Sequence, residues 1–204
     1  MGVILNIIDA IRRIGSSSQR SALRRQDEYL SNKSVVARRV EINPSDTGRT
    51  QSFVATIEPV PETVRAFDED ELAAIEENAA QVSILSQRYL EKPLPQATPK
   101  ELDEIFNAWA HSTERSAVSD EEIVQILGAA FGKHCALALN MRWVIVTDSG
   151  GSAAAIQGIA KDFRGFPFHS IWKRITANEQ DFFVPIFASL EKQSAASREA
   201  AGVA

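Results

Sequence analysis

The stretch Ser119–Gly158, "SDEEIVQILGAAFGKHCALALNMRWVIVTDSGGSAAAIQG", changes its hydrophobic period halfway along. In its first half, apolar residues recur at helical spacing: Ile123, Ile126, Leu127, Ala130, Phe131 and Leu137. From Arg142 the segment "RWVIVTD" is β-branched and aromatic, "DSGGS" has turn composition, and "AAAIQG" can return antiparallel. The stretch therefore predicts a helix followed by a β-hairpin at about residues 142–158.

Capping boxes predict where three helices begin. In each, a Ser, Thr or Asp precedes a Glu by three residues, so the two side chains can bond each other's backbone N–H groups. The pairs are Asp68 with Glu71, Thr98 with Glu101, and Ser119 with Glu122. The first box predicts one helix from Glu69 to about Leu90, with the apolar face Leu72, Ile75, Ala79, Val82, Leu85 and Tyr89. The second predicts a helix from Pro99, with the buried stripe Leu102, Ile105, Phe106 and Trp109.

Two more helices are predicted after the hairpin. "FPFHSIWKRI" favours a short helix that begins at Pro167, and "NEQDFFVPIFASLEKQ" favours a closing helix from Asn178 with a kink at Pro185. Helices that stand before and after one hairpin, rather than alternating with strands, indicate an α+β fold in which capped helices pack on a small antiparallel sheet.

We predict three regions along the chain. Residues 1–64 form a basic amphipathic helix and a polar linker, residues 65–192 form the α+β globular domain, and residues 193–204 form a flexible tail. Within the linker, "SVVARRVEI" and "SFVATIEPV" are expected to form weak strands that pair with each other across the turn sequence "NPSDTGRTQ".

The charge is distributed unevenly along the chain. Residues 1–40 carry eight Lys or Arg against three acidic residues, a net charge of +5, whereas the remainder carries 14 against 24, a net charge of −10. This basic arm is expected to meet an anionic surface: the acidic body itself, lipid headgroups or a nucleic acid. Its candidate contacts are Ile4, Ile8, Ile11, Arg12 and Arg13.

Composition narrows the protein class. Hydrophobic residues make up 44% and charged residues 24%, a balance typical of a soluble globular protein. A single cysteine excludes an internal disulfide, and no uninterrupted apolar run reaches the roughly 18 residues of a membrane span. We expect a soluble, cytoplasmic protein.

The segment "VIVTDSGGSAA" looks like the nucleophile turn of a trypsin-like protease, and "GKHCAL" looks like the His-Cys pair of the same enzymes. In that family the histidine lies more than a hundred residues before the serine, in a fold built almost wholly of strands. Here only 15 positions separate His134 from Ser149, and His134 falls near the end of a predicted helix. A turn begun by Asp148, with Gly150 and Gly151 at positive φ, explains the same letters.

No other cluster supports a catalytic, metal or cofactor site. Cys135 lies in the apolar run "CALAL" and is expected to be a small core residue, and neighbouring helical positions place His134 about 100° away from it. The three histidines, His111, His134 and His169, show no metal-ligand spacing. Gly128 and Gly132 are expected to let a neighbouring element approach closely. We therefore predict no catalytic residue, no metal and no cofactor.

A candidate interaction surface combines aromatic and charged residues from the hairpin and the Pro167 helix. Its members are Arg142, Trp143, Asp148, His169, Trp172, Lys173 and Arg174. Exposed aromatic rings beside cations are typical of contact surfaces.

The C-terminal half, roughly residues 119–190, resembles a bacterial family known only as a domain of unknown function. The matching features are a helix with spaced glycines, a tryptophan-bearing strand, an Asp-Gly hairpin and a Pro-led helix that ends in Lys-Arg. They correspond to Gly128, Phe131, Gly132, Trp143, Asp148, Gly150, Pro167, Lys173 and Arg174. The resemblance implies an α+β fold and carries over no activity.

Three functions remain open from the sequence. The first is a non-enzymatic protein-interaction module, an adaptor or inhibitor-like protein with a protein partner. The second is a small enzyme whose site assembles only in three dimensions. The third is association with an anionic membrane surface or a nucleic acid through residues 1–40. Of these two partners, the sequence favours the membrane surface over nucleic acid. Each is compatible with a homo-oligomer.

Overall fold

The computed structural model describes residues 62–148, 151–160 and 163–200, and the backbone of residues 37–38 and 54–55. The strands are β1 Ala37–Arg38, β2 Val54–Ala55, β3 Thr63–Ala66, β4 Arg142–Asp148, β5 Gly151–Gln157 and β6 Arg164–Gly165. The helices are α1 Glu69–Ala80, α2 Val82–Leu90, α3 Pro99–His111, α4 Asp120–Leu139, α5 Pro167–Ala177 and α6 Phe183–Ala200. A 3₁₀ turn, Arg115–Ala117, lies between α3 and α4.

These elements confirm the α+β prediction. Strands β3 to β6 form one antiparallel sheet in the order β3-β4-β5-β6. The predicted hairpin is β4 with β5, in the register Trp143 to Ile156 and Asp148 to Gly151. Gly151 has a φ of 129°, as its turn position was expected to require, while Ser149 and Gly150 lie outside the described residues. The two weak linker strands also pair, Ala37 with Ala55 and Arg38 with Val54.

All three capping boxes are formed. Asp68, Thr98 and Ser119 each accept a hydrogen bond from the backbone N–H of the Glu three residues later, and each Glu side chain bonds back. The predicted stripe of α3 is buried, with Leu102 and Ile105 at 0% exposure. Local sequence chemistry is therefore sufficient to set these three helix starts.

The predicted helix from 69 to about 90 is wrong as a single element. It is interrupted at Gln81, which separates α1 from α2. Three residues earlier, the Asn78 side chain donates a hydrogen bond to the Ala74 carbonyl at 2.9 Å and competes with the helical ladder there. Leu72, predicted on the buried face, is 42% exposed.

The C-terminal helices also differ from prediction. Helix α5 begins at Pro167 as expected, but Asn178 ends it in the left-handed conformation rather than starting the next helix. Helix α6 begins at Phe183, which puts Pro185 in its first turn, where a missing N–H has no intrahelical partner to lose, so no kink is needed. The helix continues to Ala200, and its residues Ser194 and Ser197 are buried. The prediction of a flexible tail is therefore wrong for residues 193–200, which are helical.

Helix α4 lies at the centre of the domain. It packs against α1, α3, α5, α6 and β5, and its side chains Ile123, Leu127 and Cys135 have no exposed surface. By length and composition it could cross a membrane, but 56% of its most apolar window is buried inside the protein, which is typical of a core helix. Leu137, which shares the helical spacing of the apolar residues named above, is nevertheless 72% exposed.

The two glycines of α4 admit close neighbours, as the sequence predicted. A Cβ at Gly128 would stand 2.5 Å from the Phe168 ring of α5, and one at Gly132 would collide with the Trp143 ring of β4. Trp143 in turn contacts Phe168 and Phe67, with ring centroids 5.8 and 5.5 Å apart. These contacts hold α4, α5 and the sheet together.

Candidate interaction surface

Helix α5 presents a mixed aromatic and polar side to the solvent. Phe168 and Ile171 on its inner side are 4% and 0% exposed. On the other side, residues at helical spacing are half-buried or exposed, and we call them the α5 surface: His169, Trp172, Lys173 and Thr176. Trp172 packs partly against the core, and the Thr176 hydroxyl donates to its carbonyl at 3.0 Å.

The two ends of α5 are firmly held. Pro167 occupies its first turn, where its fixed φ suits a helix. At the other end the Asn178 N–H bonds to the carbonyls of Arg174 and Ile175, which satisfies groups that a helix end otherwise leaves open. The α5 surface therefore projects from a well-anchored element.

Arg174 belongs to the predicted surface but is engaged within the domain. Its Nε lies 3.4 Å from a Glu179 carboxylate oxygen, and its guanidinium lies 5.9 Å from the centroid of the Phe182 ring. A second guanidinium nitrogen donates to the Ser170 carbonyl at 3.4 Å. Arg174 therefore ties α5 to the loop before α6.

The structure does not bring the remaining predicted residues into the same patch. Trp143 is only 7% exposed because its ring fills the space between Gly132, Phe168 and Phe67, so its assignment to the surface is corrected. Arg142 and Asp148 are both exposed but stand at opposite ends of β4, about 20 Å apart at strand rise. The arm contacts Ile4, Ile8, Ile11, Arg12 and Arg13 lie outside the described residues.

Cys135 and His134, which first suggested catalysis, are packed among apolar residues. Cys135 is fully buried, and burial raises the pKa of its thiol to about 12, so the reactive thiolate is strongly disfavoured. Burial also lowers the pKa of His134, whose ring packs edge-on against Phe187 at 5.1 Å. Among the residues that the structure describes, no three His, Cys, Asp or Glu side chains gather as metal ligands.

Helix α3 carries a polar cluster that was not predicted from the sequence. Asp103, Asn107 and His111 follow one another by one helical turn on α3 and hold the loop that leads into α6. The Asp103 carboxylate accepts the N–H groups of Phe183 and Val184 at 2.9 and 3.1 Å. It thus caps α6 from a different helix.

Its two companions hold the same loop by side-chain bonds. The Asn107 amide donates to the Asp181 carboxylate at 2.7 Å. His111 Nδ1 lies 2.8 Å from the Asn107 carbonyl and must donate there, so its Nε2 accepts from the Gln180 amide at 3.1 Å. Burial raises the pKa of Asp103, but its two backbone bonds identify it as a helix cap. In the sequence, the only sign of this cluster is that its three polar residues are spaced by four along α3.

A family match covers less than half of the chain. Residues 103–187 match the family described as "Domain of unknown function (DUF3806)". The matched range extends from α3 into α6 and includes the glycine-bearing helix, the hairpin and the Pro167 helix. The resemblance of the C-terminal half to a domain of unknown function is therefore confirmed.

The other comparisons carry no functional information. No curated protein matches the chain. A crystal structure of a protein from Bacteroides thetaiotaomicron VPI-5482 is similar at 18% identity and a TM-score of 0.47, over 68% of this chain and 51% of that one. This chain thus spans about half the length of that protein.

Proposed function

We propose that this protein is a non-enzymatic interaction module, an adaptor or inhibitor-like domain, that binds a protein partner through the α5 surface. The observation that carries the proposal is the half-buried ring of Trp172 beside the exposed Lys173 on a helix held at both ends. Tryptophan is enriched among the residues that contribute most to interface affinity, because its large ring fills a pocket at little entropic cost.

The chemistry of this surface indicates an acidic partner. Lys173 offers a cation one position from the Trp172 ring. A partner with an apolar notch for the ring and a carboxylate for the ammonium group would match both features. The net charge of −10 beyond residue 40 disfavours a broad acidic contact, so we expect a small interface centred on α5.

The test begins with affinity purification of the tagged full-length chain from its native cells, with mass spectrometry of stoichiometric partners. The purified partner is then titrated by calorimetry against the wild-type chain and the variants Trp172→Ala and Lys173→Glu. Lys192→Glu is the matched control, because Lys192 is an exposed lysine on a different helix.

We expect Trp172→Ala to weaken binding roughly 30-fold and Lys173→Glu roughly 10-fold, with Lys192→Glu unchanged. Equal affinity of all four proteins would place the binding surface elsewhere. A monodisperse chain that retains no partner would contradict the proposal as a whole.

A further inference from the structure

The two faces of the sheet follow from its register. Residues paired across antiparallel strands share a face, and successive residues alternate between faces. The Trp143 ring packs against α4 and α5. By register Ile145, Ile156 and Ala154 share its face of the sheet, which we call the inner face. The outer face is formed by the alternate residues: Val64, Ala66, Arg142, Val144, Val146, Ala153, Ala155, Gln157, Arg164 and Phe166.

The centre of the outer face is as buried as the core. Val144, Ala155 and Gln157 are 1%, 0% and 1% exposed, and Val146 is 7% exposed. In the part of the chain that the structure describes, a partly buried Phe166 packs on this cluster. Strand β4 is apolar at four successive positions, a pattern typical of a strand that is covered on both sides.

An ion pair shows where the chain enters this region. Glu62 immediately precedes β3, and its carboxylate accepts a hydrogen bond from Arg164 of β6 at 2.6 Å. Strands β3 and β6 are the two edges of the sheet, three strand spacings apart. By register, Glu62 continues toward Asp148 whereas Arg164 pairs with Gln157 opposite Arg142, so the two residues also lie at opposite ends of the strands. Their bond therefore joins two diagonal corners of a curled sheet, which in a flat sheet would stand more than about 14 Å apart. Since Arg164 belongs to the outer face, the bond holds Glu62 on that side of the sheet.

The segment before Glu62 has the right length and character to provide the cover. Its strands β1 and β2 form a two-stranded ladder, and such a ladder is marginal in water unless it packs on another surface. The seven residues between Ala55 and Thr63 can span up to about 25 Å, enough to lay the ladder across the sheet. The surrounding sequences "SVVARRVEI" and "SFVATIEPV" supply apolar residues such as Val35, Phe53 and Ile57.

We infer that the β1–β2 hairpin of this same chain, residues 34–60, docks on the outer face of the sheet and makes the domain three-layered. Helices cover the inner face, and the hairpin covers Val144, Val146 and Ala155. Residues 34–60 are then an integral layer of the fold rather than a linker.

The test measures thiol protection in the full-length chain. Val146→Cys places a small apolar thiol at the centre of the outer face, and its reaction with a maleimide is timed by mass spectrometry. Ser152→Cys, at an exposed position of β5, gives the unprotected rate, and native Cys135 should stay unreacted as long as the core is folded. The same three thiols are followed after Phe53→Asp and Ile57→Asp are introduced together to undock the hairpin.

We expect Cys at 146 to react at least tenfold more slowly than Cys at 152, and to lose most of that protection in the undocked chain while Cys135 stays unreacted. Equal rates at 146 and 152 in the intact chain would overturn the inference. So would protection that persists after undocking, since other residues would then provide the cover. Protection that falls on dilution would overturn it in favour of a second copy of the chain.

A second measurement keeps the inference testable if Val146→Cys fails to fold. Hydrogen exchange of the backbone amides of β4 and β5 is compared between the wild-type chain and the chain with Phe53→Asp and Ile57→Asp. Docking predicts at least tenfold faster exchange in β4 and β5 of the undocked chain, with α3 unchanged. Unchanged exchange in the sheet would overturn it.

Discussion

The central side chains are buried on both the inner and the outer face of the sheet, but they are buried by different kinds of contact. On the inner face the large ring of Trp143 fits against Gly132 and between the rings of Phe67 and Phe168. On the outer face the buried apolar residues are the smaller Val144, Val146 and Ala155, which lie beside Phe166, and Gln157 is buried on the same face. An interlocked face cannot lose or gain a side chain without a cavity or a clash, whereas a face of small residues can accept a separate layer.

The largest expected effect tests that contrast directly. Trp143→Ala should lower the free energy of unfolding by about 3–5 kcal/mol, because it leaves a cavity under α4 and α5 that cannot collapse. Val146→Ala on the outer face should cost about 2 kcal/mol, the loss of two buried methyl groups. Urea denaturation followed by circular dichroism measures both. Equal losses would contradict the proposed difference between the faces.

The next effect adds a group to the inner face instead of removing one. Gly132→Ala should cost about 1–3 kcal/mol, because the new Cβ collides with the packed ring of Trp143. Ala129→Gly on the same helix is a matched control that should cost only the helix propensity, about 1 kcal/mol, plus one buried methyl group. If Trp143→Phe restores part of the stability that Gly132→Ala loses, the clash is with the Trp143 ring. If the stability losses of the two substitutions simply add, the clash lies elsewhere.

A smaller effect concerns the polar contacts of the helical side. Asp103→Ala should cost about 2 kcal/mol, because it leaves the Phe183 and Val184 N–H groups at the start of α6 without acceptors. Asp103→Asn keeps an acceptor oxygen for only one of these two N–H groups and should cost about half as much. Thermal unfolding of the two variants shows whether Asp103 stabilises the fold by accepting hydrogen bonds or by its charge. Similar losses of stability in both variants would indicate that the charge matters.

The smallest effect is the pH dependence of stability. The Arg65 guanidinium bonds both oxygens of Glu71 and holds the pKa of that carboxyl below its usual range, so its stabilisation is present above about pH 4.5 and is lost as the pH falls through the lowered pKa. Burial raises the pKa of Asp103, so its contribution has the opposite sign: stability falls as the pH rises from about 4 to the raised pKa.

Both pH effects can be measured in one series of urea midpoints from pH 3 to 7. Glu71→Gln should flatten the rise of stability with pH by under about 1 kcal/mol, since Arg65 is largely exposed. Asp103→Asn should steepen the rise, because it removes the opposing term. A change of the same sign in both variants would contradict one of the two assignments.

Some predictions from the sequence were confirmed because they rest on contacts within a few residues. The capping boxes at Asp68, Thr98 and Ser119 and the β4–β5 hairpin are of this kind. The same is true of α5, which begins where Pro167 predicts. A side chain three residues away, or a strand two residues further on, meets its partner whatever the rest of the chain does.

The candidate site was predicted less well because exposure is a property of packing. Trp143 and Trp172 look equivalent in the sequence, yet the first is buried between Gly132 and Phe168 and the second is half-buried on α5. The start of α6 was misplaced at Asn178 for a related reason. Its cap is Asp103, 80 residues earlier, which no local pattern can reveal.

The sequence by itself determined the fold class, the starts of the capped helices and the hairpin, since hydrophobic period and capping act over single turns and neighbouring strands. Only the tertiary structure decided which tryptophan is buried, which helix supplies the cap of α6, and that Glu62 pairs with Arg164 across the sheet. These outcomes depend on distances between residues far apart in the chain, which are fixed only when the layers pack together.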